Sequence, residues 1–116
     1  MNKQQAIFDL ALGMGDNTLS LGHRLSELCG HGPILEQDIA LTNIALDLVG
    51  QSRMWLSLAG EVEGKDRTED DFAYYRLERD FTNVKLVEMP NHHWGYVLTR
   101  QFIYDAHHLA ILEQLV

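Results

Sequence analysis

The apolar positions of residues 34–60 recur at helical spacing and set the architecture that the rest of the chain must fit. Two stripes share steps of three and four residues or their sums, which is the period of an α-helix. They comprise Leu41, Ile44, Leu48, Trp55 and Leu58, and Leu35, Ile39, Leu46, Val49 and Leu56. The stripes lie about 140° apart at 100° per residue, so each needs its own neighbour. The pattern therefore predicts an inner helix of a helical bundle.

Residues 3–29 carry a similar pattern, although three glycines interrupt it. Each of Gly13, Gly15 and Gly22 costs about 1 kcal/mol against alanine inside a helix, and the polar run at 16–18 offers an N-cap for a second helix. The apolar register continues across the glycines, which favours one helix. The turn at 30–33 contains two glycines and a proline, and so short a connection predicts an antiparallel hairpin.

The second half of the chain predicts one short helix and one long one. Thr68 and Asp71 have the spacing of a capping box, so a helix is predicted at about 69–78. Residues 80–90 are expected to be irregular, with an apolar patch at Val84, Leu86 and Val87 covering the bundle. The last helix is predicted over about 92–116, with Asn91 as its N-cap.

The last helix contains an acid within an otherwise apolar seam. The seam has steps of three and four residues and comprises Leu98, Phe102, Asp105, Leu109, Leu112 and Val116. A carboxylate in such a position is costly unless it is paired, hydrogen-bonded, protonated or bound to metal. We therefore expect Asp105 to be buried and its carboxyl group to be hydrogen-bonded.

Asp105 also belongs to the main candidate for chemistry, a metal site. Asp105 and His108 lie three residues apart on one helix, and Glu27 has His23 four residues before it. Carboxylate and imidazole ligands at this spacing suit iron or manganese. The alternative is a structural network in which Asp105 bonds to His23, Tyr104 or Arg100, and this is the more common arrangement.

Two weaker candidates have structural alternatives. Cys29 and His31 could form a nucleophile and base, but no third orienting residue is evident, and a small residue at a helix end is the simpler interpretation. A group of aromatic residues suits either a ligand or partner surface or packing of the short helix on the bundle. It comprises Phe72, Tyr74, Tyr75, Phe81, Trp94 and Tyr96.

Composition narrows the possible functions. The 116 residues suit one domain, and a net charge of −8 argues against binding to nucleic acid or an anionic membrane. Cys29 is the only cysteine, which favours a reducing, cytoplasmic setting. The sequence shows no secretory signal and no apolar run long enough for a membrane span.

Five segments together resemble the start of the C subunits of bacterial phenylacetyl-CoA epoxidases. They are residues 15–17 (GDN), 23–31 (HRLSELCGH), 41–53 (LTNIALDLVGQSR), 86–91 (LVEMPN) and 100–108 (RQFIYDAHH). The resemblance implies a ferritin-like helical bundle. It also implies an oxygenase complex in which a related catalytic component, the A subunit, holds a di-iron centre, a reductase supplies electrons, and the C subunit is a structural companion.

The resemblance also assigns candidate positions. Glu27 and Asp105 fall where the catalytic subunit has acid ligands on its first and third helices. Its second helix reads Asp-Glu-Ala-Gly-His, and the matching run here, 47–51, places Leu48 and Gln51 at the glutamate and histidine. Because leucine cannot ligate and glutamine is a weak substitute for imidazole, we expect no metal or other cofactor in this chain.

Family members are longer than this chain, so the resemblance implies that the fourth helix of the bundle is absent. Apolar surface should then be left open, and we expect the chain to pair with the catalytic A subunit or with a second copy. Two alternatives remain for function. One is a metal-binding ferritin-like oxidoreductase that uses Glu27, Asp105 and His108, and the other is a generic helical interaction module.

Overall fold

The computed structural model describes residues 3–64, 68–74, 76, 81, 83 and 85–115, and its regular structure is helical throughout these ranges. The helices are α1 (Lys3–Ser26), α2 (Leu35–Glu63), α3 (Glu69–Tyr74), α4 (Lys85–Glu88) and α5 (Trp94–Leu115). The all-α prediction is therefore confirmed. Within the described ranges, none of the helices combines the length and the hydropathy of a membrane span.

Helices α1 and α2 form the predicted antiparallel hairpin. Gly15 lies against Trp55 and Leu56, whereas Gly22 lies against Ala45, Leu48 and Val49, so the contacts run in opposite directions along the two helices. A Cβ atom on Gly15 would lie 2.6 Å from the Leu56 Cδ2 atom. The glycines therefore stay helical, as the one-helix interpretation of α1 requires, and they let the two backbones approach closely.

The ends of the hairpin differ from the predicted boundaries by a few residues. Helix α1 ends at Ser26 and passes into a turn, where Gly30 takes a φ of 87°. Helix α2 continues to Glu63, past the predicted end at residue 60. It stops at Gly64, whose left-handed φ of 72° suits glycine and whose N–H donates to the Gly60 carbonyl.

The connection between α2 and α5 is anchored by two short helices. The capping box is confirmed, because the Thr68 N–H donates to Asp71 Oδ2 at 2.8 Å and the Asp71 N–H returns to Thr68 Oγ1 at 3.4 Å. Phe72 and Val87 are fully buried. The expectation of an irregular 80–90 segment is wrong at α4, which is helical, and Val84 lies outside the described residues. The predicted helix 69–78 is described only as far as Tyr74.

Helix α5 runs parallel to α2. Trp94 Nε1 donates to Gln37 Oε1 at 2.8 Å, and His108 Nε2 lies 3.1 Å from Gln51 Oε1, with the same offset of 57 residues in both pairs. The helix starts at Trp94, because His93 caps it through a 3.1 Å bond from the Tyr96 N–H to His93 Nδ1. The prediction that Asn91 is the N-cap is therefore wrong.

The buried face of α5 is not the predicted seam. Its buried residues are Val97, Arg100, Gln101 and Tyr104, whereas Phe102 of the seam is 74% exposed. Leu98, Asp105 and Leu109 are exposed as well, and Val116 lies outside the described residues. The helix carries apolar side chains on two faces, and the face with polar members is the one that packs inward.

Two clusters of buried side chains make up the core. The first joins α1, α2, α4 and α5 through Leu21, Leu25, Leu41, Ala45, Leu48, Val87, Val97 and Tyr104. The second joins α1, α2 and α3 through Ala11, Leu19, Leu56, Ala59 and Phe72. Of the two α2 stripes, the one containing Leu48 mostly faces these clusters. The other is exposed apart from Leu56.

Replacing Gly15 and Gly22 by alanine, one at a time, should distinguish the effect of close packing on the free energy of unfolding from the effect of helix propensity. In Gly15→Ala the new methyl group overlaps the Leu56 side chain, so we expect a net loss of about 1–2 kcal/mol in the free energy of unfolding. In Gly22→Ala the nearest atom is Val49 Cγ2 at 3.0 Å, and the gain in helix propensity should hold the change near zero. Urea denaturation of both variants tests this order, and a Gly15→Ala variant as stable as Gly22→Ala would contradict it.

Candidate functional site

The structure brings Gln51 and His108 together at the level where the family resemblance implies lost metal ligands. Gln51 Oε1 lies 3.1 Å from His108 Nε2, and the His108 ring stacks on Tyr104 with 5.4 Å between ring centroids. One turn away on α2, Leu48 is buried in the first core cluster. At this level of the α2–α5 contact, an apolar side chain therefore lies next to an amide–imidazole contact.

Asp105 lies level with Leu48, given the constant offset between α2 and α5, but it is exposed. The expectation of a buried Asp105 is therefore wrong, because α5 is rotated to bury Tyr104 instead. The carboxyl group is hydrogen-bonded, as expected, and accepts from Gln101 Nε2 at 2.9 Å. Partial desolvation raises the pKa of Asp105, while the Gln101 bond and the charge of His108 oppose this rise.

Glu27 lies away from this position, in the turn that follows α1. It is exposed, and its Oε1 atom is 3.2 Å from Arg24 Nη1, while Oε2 accepts from Asn91 Nδ2 at 3.3 Å. The residue of α1 that faces Leu48 is Gly22. Glu27 comes five residues later along the chain, which corresponds to about 7.5 Å along a helix axis.

These positions do not fit a di-iron centre. Such a centre needs several carboxylates and imidazoles that converge on one volume between the helices. The described part of the chain contains no group of three or more histidine, cysteine or acidic residues that could hold a metal ion. Leucine at position 48 offers no ligand atom, and the Gln51 oxygen already contacts His108.

A buried ion pair that the sequence did not reveal joins α1 to the segment after α3. Arg76 donates to both carboxylate oxygens of Asp16, and the Nη1 to Oδ2 distance is 3.1 Å. The Asp16 side chain is fully buried, and the guanidinium carbon lies 4.1 Å from the ring centroid of Phe81. The sequence pattern offered Asp16 as part of a possible N-cap and of the GDN segment, with no sign of its ion pair. The burial of Asp16 could have been predicted from its sequence position, because a charged residue lies there within an apolar helix face. The same feature led to the prediction that Asp105 is buried.

A polar cavity of about 610 Å³ lies between α1 and the connection to α5. Its charged lining residues include His23, Arg24 and Glu27 on α1 and the following turn, with Arg76 and Glu88 opposite. Arg24 Nη2 donates to the Glu88 carbonyl at 2.7 Å, in addition to its pairing with Glu27. The cavity is therefore lined by both signs of charge, and its arginines are already engaged with neighbours.

Buried polar groups cluster on the inner face of α5. Arg100 is 1% exposed and donates from Nη1 to the Met89 carbonyl at 3.2 Å, and desolvation lowers its pKa. Burial, followed by the charge of Asp105, raises the pKa of Tyr104 to about 12. Among the described residues, the Tyr104 hydroxyl and two nitrogens of Arg100 have no hydrogen-bond partner. The sequence analysis gave Arg100 as one possible hydrogen-bond partner of Asp105. In the structure the partner of Asp105 is Gln101 instead.

The two weaker candidates, Cys29 with His31 and the aromatic group, show no catalytic arrangement among the described residues. Cys29 is exposed, and its sulfur accepts from Thr42 Oγ1 at 3.7 Å. Of the aromatic group, Phe72 is buried in the second core cluster with Phe81 packed against that cluster, and Trp94 packs against the first cluster. Packing therefore accounts for these three, whereas Tyr75 lies outside the described residues.

The pKa of His108 should respond in opposite directions to the loss of its two charged neighbours. Burial lowers this pKa from the ordinary value of 6.5, Asp105 raises it, and His107 lowers it. We therefore expect Asp105→Asn to lower the His108 pKa further and His107→Gln to raise it, as measured by NMR titration of the imidazole.

The same shift predicts how His108 affects stability. The unfolded chain takes up this proton more readily than the folded one, so the contribution of His108 to stability should fall as the pH drops below 6.5. Urea denaturation at a series of pH values, with His108→Gln as the control, tests this dependence. For the NMR titration, a shift of the His108 pKa in the same direction in Asp105→Asn and His107→Gln would contradict the assigned effects of these two neighbours.

Comparison with known proteins identifies the family to which the chain belongs. Residues 1–116 match the family model described as phenylacetic acid catabolic protein. The C subunit of the 1,2-phenylacetyl-CoA epoxidase of Escherichia coli (strain K12) is 49% identical over 105 residues. The alignment covers 90% of this chain but 42% of the E. coli protein, so the chain spans less than half of that relative. These matches confirm the resemblance found in the sequence, and the chain belongs to the family of phenylacetic acid catabolic proteins.

Proposed function

We propose that this chain is a non-catalytic structural subunit of a multicomponent oxygenase that epoxidises the aromatic ring of phenylacetyl-CoA in aerobic phenylacetate degradation. Its similarity to the C subunit of the E. coli epoxidase supports this role. The observation that carries the proposal is the state of Leu48 and Gln51, since one is buried in the apolar core and the other contacts His108.

Under this proposal the former ligand positions have become ordinary structural positions. Leu48 contributes hydrophobic burial, and Gln51 links α2 to α5. Glu27 and Asp105 are remnant acids whose carboxylates are held by Arg24, Asn91 and Gln101. The rival role, a metal-binding oxidoreductase built on Glu27, Asp105 and His108, requires these acids to leave their partners and converge.

The chemistry then belongs to a partner. The catalytic A subunit of the same cytoplasmic complex would hold the di-iron centre, and a separate reductase would supply electrons. Exposed apolar residues on α5, including Leu98, Phe102 and Leu109, support an association role. Contiguous apolar surface of this kind is a recognised feature of interaction sites, whether the covering element comes from another protein or from the same polypeptide.

Iron should partition with the partner when the complete complex is purified and its components are separated. We expect elemental analysis to find no stoichiometric iron in this chain, because Leu48 and Gln51 cannot supply the glutamate and histidine that a ferritin-like di-iron site takes from one helix. A value of about two iron atoms per copy of this chain would overturn the proposal.

Variants of this chain provide the matched control. Asp105→Asn and His108→Gln keep the size of each side chain but remove a potential ligand, so the iron content of the complex should stay at the wild-type value. A loss of iron in these two variants, with assembly intact, would support the metal-binding rival.

A further inference from the structure

The cavity between α1 and the connection to α5 contains polar side chains that the described part of the chain does not use. Ser20 and His23 line it from α1, three residues apart and therefore on one face of the helix. Neither side chain makes a hydrogen bond within the described residues. A hydroxyl and an imidazole can both donate, so these two groups favour a ligand that accepts hydrogen bonds.

The two acids of the cavity lining, in contrast, are already engaged. Glu27 accepts from Arg24 and from Asn91, and Glu88 Oε1 accepts from Asn83 Nδ2 at 2.9 Å. A cationic ligand would have to compete with these donors for the carboxylates. The groups of the cavity that have no partner are therefore donors, which is the requirement for binding an anion.

Arg24 is the cation of the lining that can turn to such an anion. Its Nη2 atom donates to the Glu88 carbonyl at 2.7 Å, which holds the guanidinium at the cavity wall, while Nη1 lies 3.2 Å from Glu27 Oε1. The Arg24 and Glu27 side chains are 31% and 54% exposed, and exposed pairs of this kind contribute little to stability. The Arg76–Asp16 pair is buried, so Arg76 stays with its partner.

Glu27 keeps other partners when Arg24 turns to a ligand. Asn91 continues to donate to it, and Arg100 is a second cation nearby with two nitrogens that have no hydrogen-bond partner among the described residues. Desolvation lowers the pKa of Arg100, whereas the charge of Glu27 raises it, so the two groups interact. An anion can therefore take the Nη1 atom of Arg24 without leaving the Glu27 carboxylate unpaired.

The remaining wall of the cavity is apolar. Leu19 and Val87 are buried, and Phe81 packs against the second core cluster. Donors at one side and hydrocarbon at the other match a molecule that has an anionic end and an apolar body. The volume of about 610 Å³ lies within the range of about 300–1,000 Å³ that is usual for small-molecule sites.

We propose that this cavity binds a small carboxylate with an apolar body, of the arylacetate class. The carboxylate lies at the Arg24 side, where Ser20 and His23 supply further donors, and the ring lies against the wall that contains Leu19 and Phe81. This inference goes beyond the proposed function and does not depend on it, because a subunit without catalytic groups can still bind a small molecule.

Three probes of nearly the same shape test the sign of the recognised charge. Phenylacetate, 2-phenylacetamide and phenethylamine are titrated into the full-length protein, and the His23 imidazole is followed by NMR. Salt at about 0.15 M screens the net charge of −8 beyond about 8 Å. We expect phenylacetate to bind with a Kd on the order of 0.1–1 mM, and the other two at least about tenfold more weakly. No binding of phenylacetate, or equal or tighter binding of either other probe, would overturn the inference.

Variants with a matched loss of positive charge locate the carboxylate. We expect Arg24→Gln to weaken phenylacetate binding about 10- to 100-fold, because a charge-assisted hydrogen bond is lost. Lys3→Gln removes the same charge at the other end of α1 and should bind as the wild type does. An equal effect of the two variants would show that only general electrostatics is measured, and would overturn the proposed site.

Loss of an acid should act in the opposite direction. Glu27→Gln releases Arg24 from its ion pair, so we expect phenylacetate to bind about three- to tenfold more tightly. Glu113→Gln, the same change at the end of α5, should leave the Kd unchanged. Weaker binding in Glu27→Gln would mean that Glu27 itself holds the ligand, and the inference would fail.

A cavity-filling variant keeps the test decisive if Arg24→Gln does not fold. Ser20→Leu retains every charge and introduces a good helix former, so its circular dichroism should match that of the wild type. We expect it to bind phenylacetate at least about tenfold more weakly, because the new side chain occupies the cavity. Wild-type affinity in the folded Ser20→Leu variant would place the ligand elsewhere and overturn the inference.

Discussion

The close approach of α1 and α2 at Gly15 is the constraint on which the rest of the structure depends. It allows Leu56 to pack against the α1 backbone, and the adjacent Asp16 is fully buried. A buried carboxylate is tolerated only when it is paired, and Arg76 provides that pair. The pair thus ties α1 to Arg76, which follows α3 in the chain.

The orientation of α5 follows from its contacts with the hairpin and with α4. Phe72 of α3 and Val87 of α4 are fully buried, and α5 begins near Gln37 and runs parallel to α2. The parallel arrangement places His108 beside Gln51. Gln37 and Gln51 of α2 are both engaged in contacts that hold α5 in place.

The sequence predicted well those features that depend on neighbouring residues. The single α1 helix, the hairpin turn and the Thr68–Asp71 capping box all follow from local spacing and local hydrogen bonding. The short α4 and the His93 cap were missed because the buried Val87 and the imidazole bond to Tyr96 are established by the folded backbone. Local patterns contain little information about such choices.

Local sequence patterns did not predict which face of α5 is buried or which residue pairs with Asp16, because both depend on residues far away in the chain. Apolar residues lie on both sides of α5, and periodicity alone favoured the side with Phe102 over the side with Arg100 and Tyr104. The inward choice depends on contacts with α1, α2 and α4. Asp16 and Arg76 are 60 residues apart, so no local pattern connects them. For the candidate site, the resemblance to a known family drew attention to Leu48 and Gln51, and the structure places one in the first core cluster and the other beside His108.

The central claim is that this chain contributes structure and not chemistry to an oxygenase. The most direct measurement is the turnover of phenylacetyl-CoA by the reconstituted complex when this chain carries Glu27→Gln, Asp105→Asn and His108→Gln together. These near-isosteric changes affect two exposed residues and one half-buried residue. Our account predicts a turnover number within about twofold of the wild-type complex, whereas the loss of groups that act in the reaction would lower it about 100-fold or more with assembly intact. That second result would contradict the account.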